Sequence, residues 1–227
     1  LRIMQSIEDH KESSRLMNKL GNIYRKMGRY EEALSLLLKS KDIKNEIQDF
    51  ENLGYTLLEI SSAYRWQGDY KMASKYNLES IEIAEKYSMK KLLANNFYHQ
   101  SLMLINKGKY SKAKIIIQKA ITISKKIDSL SNVAKYLDCL GIILRHEREF
   151  DKSVEVVNEA LSISKELGDK HGLRKYLNSI GLTKERHGDF KEALDIYIKC
   201  LDLSKEISEK RSIAVSYNNI AGMHLLL

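Results

Sequence analysis

The chain has 227 residues, of which 43% are hydrophobic and 30% charged, with a mean hydropathy of -0.40. No stretch of it approaches the 18 apolar residues of a membrane span, and two cysteines, Cys139 and Cys200, are too few for a disulfide framework. The net charge of +8 admits a nucleic acid, an anionic surface or an acidic protein as partner, and also a merely solvated lysine-rich surface.

A three-residue mark recurs every 40 residues and predicts a repeat protein. A fixed period of this length is typical of a solenoid, in which stacked units share one continuous core. The copies of the mark are Gly28-Arg29-Tyr30, Gly68-Asp69-Tyr70, Gly108-Lys109-Tyr110, Arg148-Glu149-Phe150 and Gly188-Asp189-Phe190.

Each repeat is predicted to hold two amphipathic helices. In the first half of repeat one, Met17, Leu20 and Tyr24 follow helical spacing, and the glycine of the mark suits the left-handed residue that ends a helix. Ala33 and Leu37 begin the stripe of a second helix. The chain contains no proline, so nothing interrupts either helix from within.

In chain order, residues 1–13 are predicted to be the tail of a preceding repeat, in which Ile7 matches Ile47. Full repeats start near residues 14, 54, 94, 134 and 174, and residues 214–227 form the first helix of a truncated sixth repeat. We expect one array over 1–227, with six extra residues per repeat lengthening the second helix. Because both ends look cut, we expect a piece of a longer protein.

Three positions of the repeat hold small side chains, which predicts close approach of the paired helices. Glycine inside a helix costs about 1 kcal/mol relative to alanine, so its recurrence needs a packing reason. The first position holds Gly21, Ser61, Ser101, Gly141, Gly181 and Ala221, the second Ala33, Ala73, Ala113, Ser153 and Ala193, and the third Ser40, Ser80, Ala120, Ala160 and Cys200.

These residues resemble the tetratricopeptide repeat over nearly the whole chain. Residues 167–181 also look like the 40-residue variant found in bacterial regulators and in some eukaryotic adaptors. In repeat one the matching residues are Gly21, Tyr24, Gly28, Tyr30 and Ala33, with Ser40 in place of the last alanine. The resemblance implies an all-α fold, a right-handed superhelical solenoid of antiparallel helix pairs.

The sequence departs from the family pattern at several positions. The usual proline near the end of the unit is absent, Arg148 replaces the glycine of the mark, and Lys184 replaces an aromatic residue. We expect a strained or reshaped turn at Arg148, and a departure from ideal stacking at both residues.

The resemblance also implies that the first helices line a concave groove that binds peptides. Thirty positions would face this groove, nine of them basic and three acidic, so a charge of +6 out of +8 would lie on one wall. Leu58, Leu102 and Ile105, with three aromatic residues, would make its centre apolar. The candidate site residues are Arg15, Asn18, Lys19, Asn22, Arg25, Tyr55, Arg65, Trp66, Tyr98, His99, Lys135, Arg145, Asn178 and Arg186.

The predicted partner is therefore a protein or peptide that is acidic and carries an apolar anchor. The alternative is that the groove residues only pack between neighbouring first helices; Asn178 and the other groove asparagines could bind a peptide backbone or bridge helices. The chain is not expected to bind a C-terminal carboxylate as related co-chaperones do, because Glu59 stands where their clamp requires asparagine and would repel the anionic terminus. The apolar centre would interrupt a phosphate track, which weighs against nucleic acid.

Catalysis, a metal and a cofactor are not expected, because no catalytic or zinc-binding spacing occurs around His99, Cys139 or His146. A purely structural or self-associating module is a further alternative, with a monomer or a weak dimer formed through the truncated C-terminal helix. The commonest context of such an array is the sensing part of a bacterial regulator. The sequence does not establish the compartment; the cytoplasm is favoured, with the periplasm as the alternative if the chain comes from a membrane-bound sensor.

Overall fold

The computed structural model of the chain describes the backbone of residues 2–227 and the side chains of residues 8–227. Over these residues the fold is all-α, as predicted, with 11 helices and no strand. The helices are α1 (Arg2–Lys26), α2 (Tyr30–Glu46), α3 (Phe50–Gln67), α4 (Tyr70–Lys86), α5 (Lys90–Asn106), α6 (Tyr110–Lys126), α7 (Leu130–His146), α8 (Phe150–Glu166), α9 (Lys170–His187), α10 (Phe190–Glu206) and α11 (Lys210–Leu226).

The helices form two compact units, Leu1–Lys107 with α1 to α5 and Gly108–Leu227 with α6 to α11. In each unit, helices that are consecutive in sequence pack against each other, and successive odd-numbered helices also meet, as in α1 with α3 and α7 with α9. Odd-numbered helices are the first helices of the predicted repeats and even-numbered helices the second. A single array over all repeats stays a prediction.

A left-handed residue follows every helix from α1 to α10, at a spacing of 20 residues. It lets the chain reverse while a backbone N–H returns to the helix end, as where Asp69 N donates to Tyr64 O over 2.9 Å. The three-residue mark identifies only the turns within the repeats, where glycine is frequent. The turns between repeats have the same backbone geometry but mostly lack glycine, so the mark does not identify them. The residues are Gly28, Gln48, Gly68, Ser88, Gly108, Asp128, Arg148, Gly168, Gly188 and Ser208.

The turn at Arg148 keeps the glycine geometry, with a φ of 63°, so it is strained rather than reshaped. A side chain in this region costs about 1 kcal/mol. Replacing Arg148 with glycine is expected to raise the free energy of unfolding by about 0.5–1 kcal/mol, measured by urea denaturation. Arg148→Ala removes the same side chain but retains a Cβ, and an equal gain there would contradict the backbone explanation.

The predicted location of the six extra residues was wrong. The second helix of repeat one already ends at Glu46, and residues 48–53 form a turn and the start of the next first helix, which begins at Phe50. The extra length therefore extends the first helix at its N-terminus. Helix α1 is continuous from Arg2 to Lys26; the side chain of Ile7 lies outside the described residues, and the assignment of residues 1–13 stays a prediction.

The small positions do bring the paired helices close together. Ser40 Oγ donates to Ser14 O and Ser80 Oγ donates to Gly54 O, each over 2.8 Å between the two helices of one repeat. Ser153 Oγ makes the same kind of bond to Gly141 O at 2.8 Å. A hydroxyl reaches a backbone carbonyl across a helix pair only when no bulky side chain separates them.

Lys184 replaces the predicted aromatic contact with charge. Its ammonium lies 3.2 Å from Asp189 Oδ2 and 2.9 Å from Glu192 Oε2, across the turn between α9 and α10. Both helices keep regular lengths here, and the turn at Gly188 keeps its left-handed geometry. A local ion-pair cluster thus takes the place of ring packing without disturbing the helix pair.

Candidate functional site

A cavity of about 480 Å³ in the first unit brings five of the predicted site residues together. They project from α1 and from the start of α3, and polar groups form most of the wall. The predicted residues that line the cavity are Arg15, Asn18, Lys19, Asn22 and Tyr55, and the other lining residues are Glu8, Lys11, Glu12, Lys44, Asp49 and Asn52.

Lys44, on the second helix α2, is the functional candidate that sequence analysis missed. Its side chain is 4% exposed, and its ammonium donates to Thr56 Oγ1 over 2.7 Å. Burial lowers the pKa of Lys44 to about 8, and the carboxylate of Asp49 opposes this only in part. A buried amine in the wall of a polar cavity can bind an anionic or hydrogen-bond-accepting group.

The repeat alignment contains the signal that would have identified Lys44. Forty residues further along at each step, the equivalent position is small and fully enclosed, so a lysine there is out of pattern. The equivalent residues are Ala84, Ser124, Ser164 and Ser204, all buried.

Arg25 and Glu59 form an ion pair between α1 and α3 beside this cavity. The guanidinium lies 3.2 Å from the Glu59 carboxylate, and Asn22 Oδ1 accepts from Arg25 Nε over 3.3 Å. Arg25 and Asn22 are thus held in place by neighbouring side chains. The pair neutralises one of the positive charges that the sequence places on the groove wall.

A partly buried arginine, Arg65, and an exposed aromatic residue, Trp66, form a cation–aromatic pair at the end of α3. The Arg65 Cζ lies 4.7 Å from the Trp66 ring centroid, and Trp66 is 56% exposed. Burial, with Arg25 nearby, lowers the pKa of Arg65. Tyr98 and His99, on α5, meet edge to face at 5.5 Å. The exposed face of Trp66, with the Arg65 cation beside it, is thus available for an apolar or anionic group.

Part of the predicted groove is core. Leu58 is buried with Ala84 and Leu92 and cannot form the apolar centre of a binding surface. Cys139 is also buried, and burial raises the pKa of its thiol to about 12, which leaves it unreactive at neutral pH. Asp138 is enclosed with one oxygen 2.9 Å from the Lys175 ammonium. At these positions the alternative of packing between helices is correct.

A second cavity, of about 360 Å³, lies in the second unit where α7 and α9 end. Its lining is Arg145, His146, Arg148, Phe150 and Arg186. Arg145 donates to Ser179 O over 3.2 Å, and the His146 ring stacks on Tyr110 with centroids 4.6 Å apart. Burial and Arg186 lower the pKa of both Arg145 and His146. Two predicted site residues, Arg145 and Arg186, meet here.

The remaining predicted residues of the second unit lie apart from that cavity wall. Lys135 places its ammonium 5.7 Å from the ring centroid of Tyr136. Asn178 Oδ1 accepts from Asn219 Nδ2 over 3.1 Å, so this asparagine bridges two first helices. Within residues 8–227 no group of three or more His, Cys, Asp or Glu residues could hold a metal ion. Among the described helices, none is both long and apolar enough to cross a membrane.

Paired helices of this repeating geometry define a helical-repeat scaffold. Three sequence models, each for the tetratricopeptide repeat, match residues 14–47, 94–127 and 132–206. Together they cover more than half of the chain, which therefore belongs to the tetratricopeptide repeat family. Members of this family are generally non-enzymatic scaffolds for protein interactions. No curated protein matches the chain.

Solved structures share the fold at low sequence identity. A Podosopora anserina protein described as a kinesin light chain with nearly identical TPR-like repeats has 15% identity and a TM-score of 0.67, over 88% of this chain and 98% of its own. The STAND ATPase with a tetratricopeptide repeat sensor from Pyrococcus horikoshii has 17% identity and a TM-score of 0.79, over 96% and 34%. A Rap protein complexed with Competence and Sporulation Factor has 15% identity and a TM-score of 0.69, over 96% and 64%.

Proposed function

We propose that the chain is a non-enzymatic peptide-binding scaffold, the sensing or interaction part of a larger bacterial regulator. Its ligand is an acidic peptide with an apolar anchor, bound on the surface of the first helices. The observation that carries this proposal is the exposed Trp66 ring beside Arg65 at the end of α3, a helix whose start lines the polar cavity that also contains Arg15, Lys19 and Lys44.

The chemistry of this surface fits such a ligand. An exposed aromatic ring that a neighbouring cation orients provides a hot spot for an apolar side chain at little entropic cost. Cationic groups beside it attract carboxylates and increase the rate of encounter. The similar Rap protein is complexed with Competence and Sporulation Factor, and the similar STAND protein has a tetratricopeptide repeat sensor. Both similarities support a sensing role for this chain.

Trp66→Ala is expected to weaken binding of acidic, aromatic-containing peptides at least about tenfold, measured by calorimetry with a degenerate library and then with its best member. The matched control is Leu78→Ala on α4, which removes another exposed apolar side chain of the same repeat. Equal effects of the two substitutions would contradict an anchor site at Trp66.

The contribution of positive charge to peptide binding is tested by comparing Arg65→Gln with a control, Lys75→Gln. Lys75 is an exposed cation on the second helix α4. Affinity is expected to fall with rising salt for the wild type and less steeply for Arg65→Gln. Tighter binding of a nucleic acid than of any acidic peptide, with the same dependence on Arg65, would favour the alternative function.

A further inference from the structure

The second cavity gathers cations without any acidic residue in its lining. Arg145, Arg148, Arg186 and His146 surround it, and Phe150 completes the wall. We propose that this cavity binds a phosphoryl group, specifically that of a phosphorylated side chain in the peptide partner. The inference rests on the proposed peptide-binding function for its ligand, whereas the anion site itself can be tested separately.

In the described part of the chain, the cations of this cavity have no carboxylate as a direct partner. Within residues 8–227, none of Arg145, Arg148 and Arg186 has a carboxylate oxygen within 4.0 Å. Arg145 donates to Ser179 O, and the carboxylates of Asp138 and Glu185 act on it only from a longer distance. The Nε of Arg145 is buried without a hydrogen-bond partner. Burial lowers the pKa of Arg145 most, and repulsion from Arg186 lowers it further, whereas the carboxylates of Asp138 and Glu185 act in the opposite direction.

The carboxylates nearest in sequence are bound elsewhere. Glu147 and Glu149 flank Arg148, yet both lie against the Lys114 ammonium, at 2.9 and 2.8 Å, and Lys152 also contacts Glu149. These bonds hold the pKa of Glu149 at about 2, well below its ordinary value. Glu185, which precedes Arg186, accepts from the Tyr197 hydroxyl over 2.6 Å. These carboxylates are therefore bound to other groups, and none of them lines the cavity.

Helix dipoles explain only part of this arrangement. Arg145 lies in the last turn of α7 and Arg186 in the last turn of α9, where the helix dipole favours cations. Arg148 follows the helix end and occupies a strained left-handed position at which this repeat pattern expects glycine. The convergence of all three on one cavity does not follow from the dipoles.

A dianionic phosphoryl group suits this site better than a carboxylate. Three guanidinium groups present planar donor pairs, and a phosphoryl group offers three terminal oxygens with close to two negative charges. A carboxylate offers one charge and two oxygens. The groups that face His146 are the Tyr110 ring, Arg145 and Arg186, and a bound dianion would raise the pKa of His146 from its lowered value.

The first experiment follows the His146 ring protons by NMR in the 227-residue protein, titrated with inorganic phosphate or O-phosphoserine at constant ionic strength. We expect saturable shifts and a raised His146 pKa, lost in Arg145→Gln and Arg186→Gln. Arg211→Gln, an exposed arginine outside the cavity lining, should behave like the wild type. Absence of a phosphate-dependent shift relative to chloride would overturn the site.

The second experiment compares phosphoserine and serine versions of one acidic peptide library by calorimetry. Selected phosphopeptides are expected to bind at least about tenfold more tightly than their serine counterparts, and Arg186→Gln should remove that difference. Preference for a short RNA over every phosphopeptide would overturn the assignment to a protein ligand. Binding of serine peptides that depends on Trp66, without any phosphate effect, would sink this inference and leave the proposed function intact.

Discussion

Replacing Lys44 with methionine is expected to raise the free energy of unfolding at pH 7 by about 1–3 kcal/mol. In the folded protein the ammonium is enclosed and bonded to a single hydroxyl, that of Thr56, at 2.7 Å. Burial of a charge with so few partners costs free energy, which the depressed pKa of about 8 expresses. Methionine has a similar length and no charge, so it can fill the same space without that cost.

The pH dependence gives the more specific test. The folded-state pKa of Lys44, about 8, lies below its ordinary value of 10.5, so between these pH values the unfolded chain binds more protons. Stability must therefore rise with pH through this window, by at most about 3 kcal/mol, because the folded protein loses its buried charge first. Below pH 8 the full cost is present.

The measurement is urea denaturation of wild type and Lys44→Met from pH 7 to pH 10.5, compared as differences so that other titrating groups cancel. The difference is expected to be largest near pH 7 and to shrink toward pH 10.5. Lys39→Met on the same helix, where the lysine is exposed, should change stability by less than about 0.5 kcal/mol. A pH-independent difference for Lys44→Met would show that the amine titrates normally.

The same substitution also separates stability from function. If the cavity beside α1 binds an anionic part of the peptide, Lys44→Met gains stability and loses affinity, whereas a purely structural lysine would change stability alone. Polar groups retained at a cost in stability are frequent at binding sites.

The repeat could be predicted from the sequence because the positions that hold glycine or another small residue are determined by packing within a single helix pair. Gly141 and Ser153 touch each other across that pair, so each copy of the unit must satisfy the same geometry. Left-handed residues such as Gln48 and Ser88 were not apparent, because a turn can impose that conformation on residues that do not favour it.

The candidate site was less predictable because exposure depends on neighbouring repeats. Leu58 and Asn18 occupy equivalent positions, yet Leu58 is buried against Leu92 of the next first helix while Asn18 lines a cavity. Whether a position faces solvent depends on how large the adjacent side chains are. Lys44 was overlooked since it lies on a second helix, which the groove model assigns to the outer surface.

Glycine at the tight position of a helix pair gives the second large prediction. Gly181→Ala is expected to lower the free energy of unfolding by about 1–3 kcal/mol, although alanine is the better helix former. An added Cβ would lie 2.6 Å from Tyr197 Cε1 and 3.0 Å from its Cδ1. Tyr197 is fully buried, and its hydroxyl donates to Glu185 over 2.6 Å, so the ring cannot move aside freely.

Gly222→Ala is the matched control, because Gly222 also lies within a first helix, α11, and a Cβ there would meet nothing within 4 Å. It is expected to raise stability by up to about 1 kcal/mol through helix propensity alone. Thermal and urea denaturation of both variants should thus give opposite signs. A gain in stability for both variants would mean that the Tyr197 ring moves aside and that glycine at position 181 is not required for packing. A loss of stability for Gly181→Ala alone would mean that the contact between the paired helices requires glycine there.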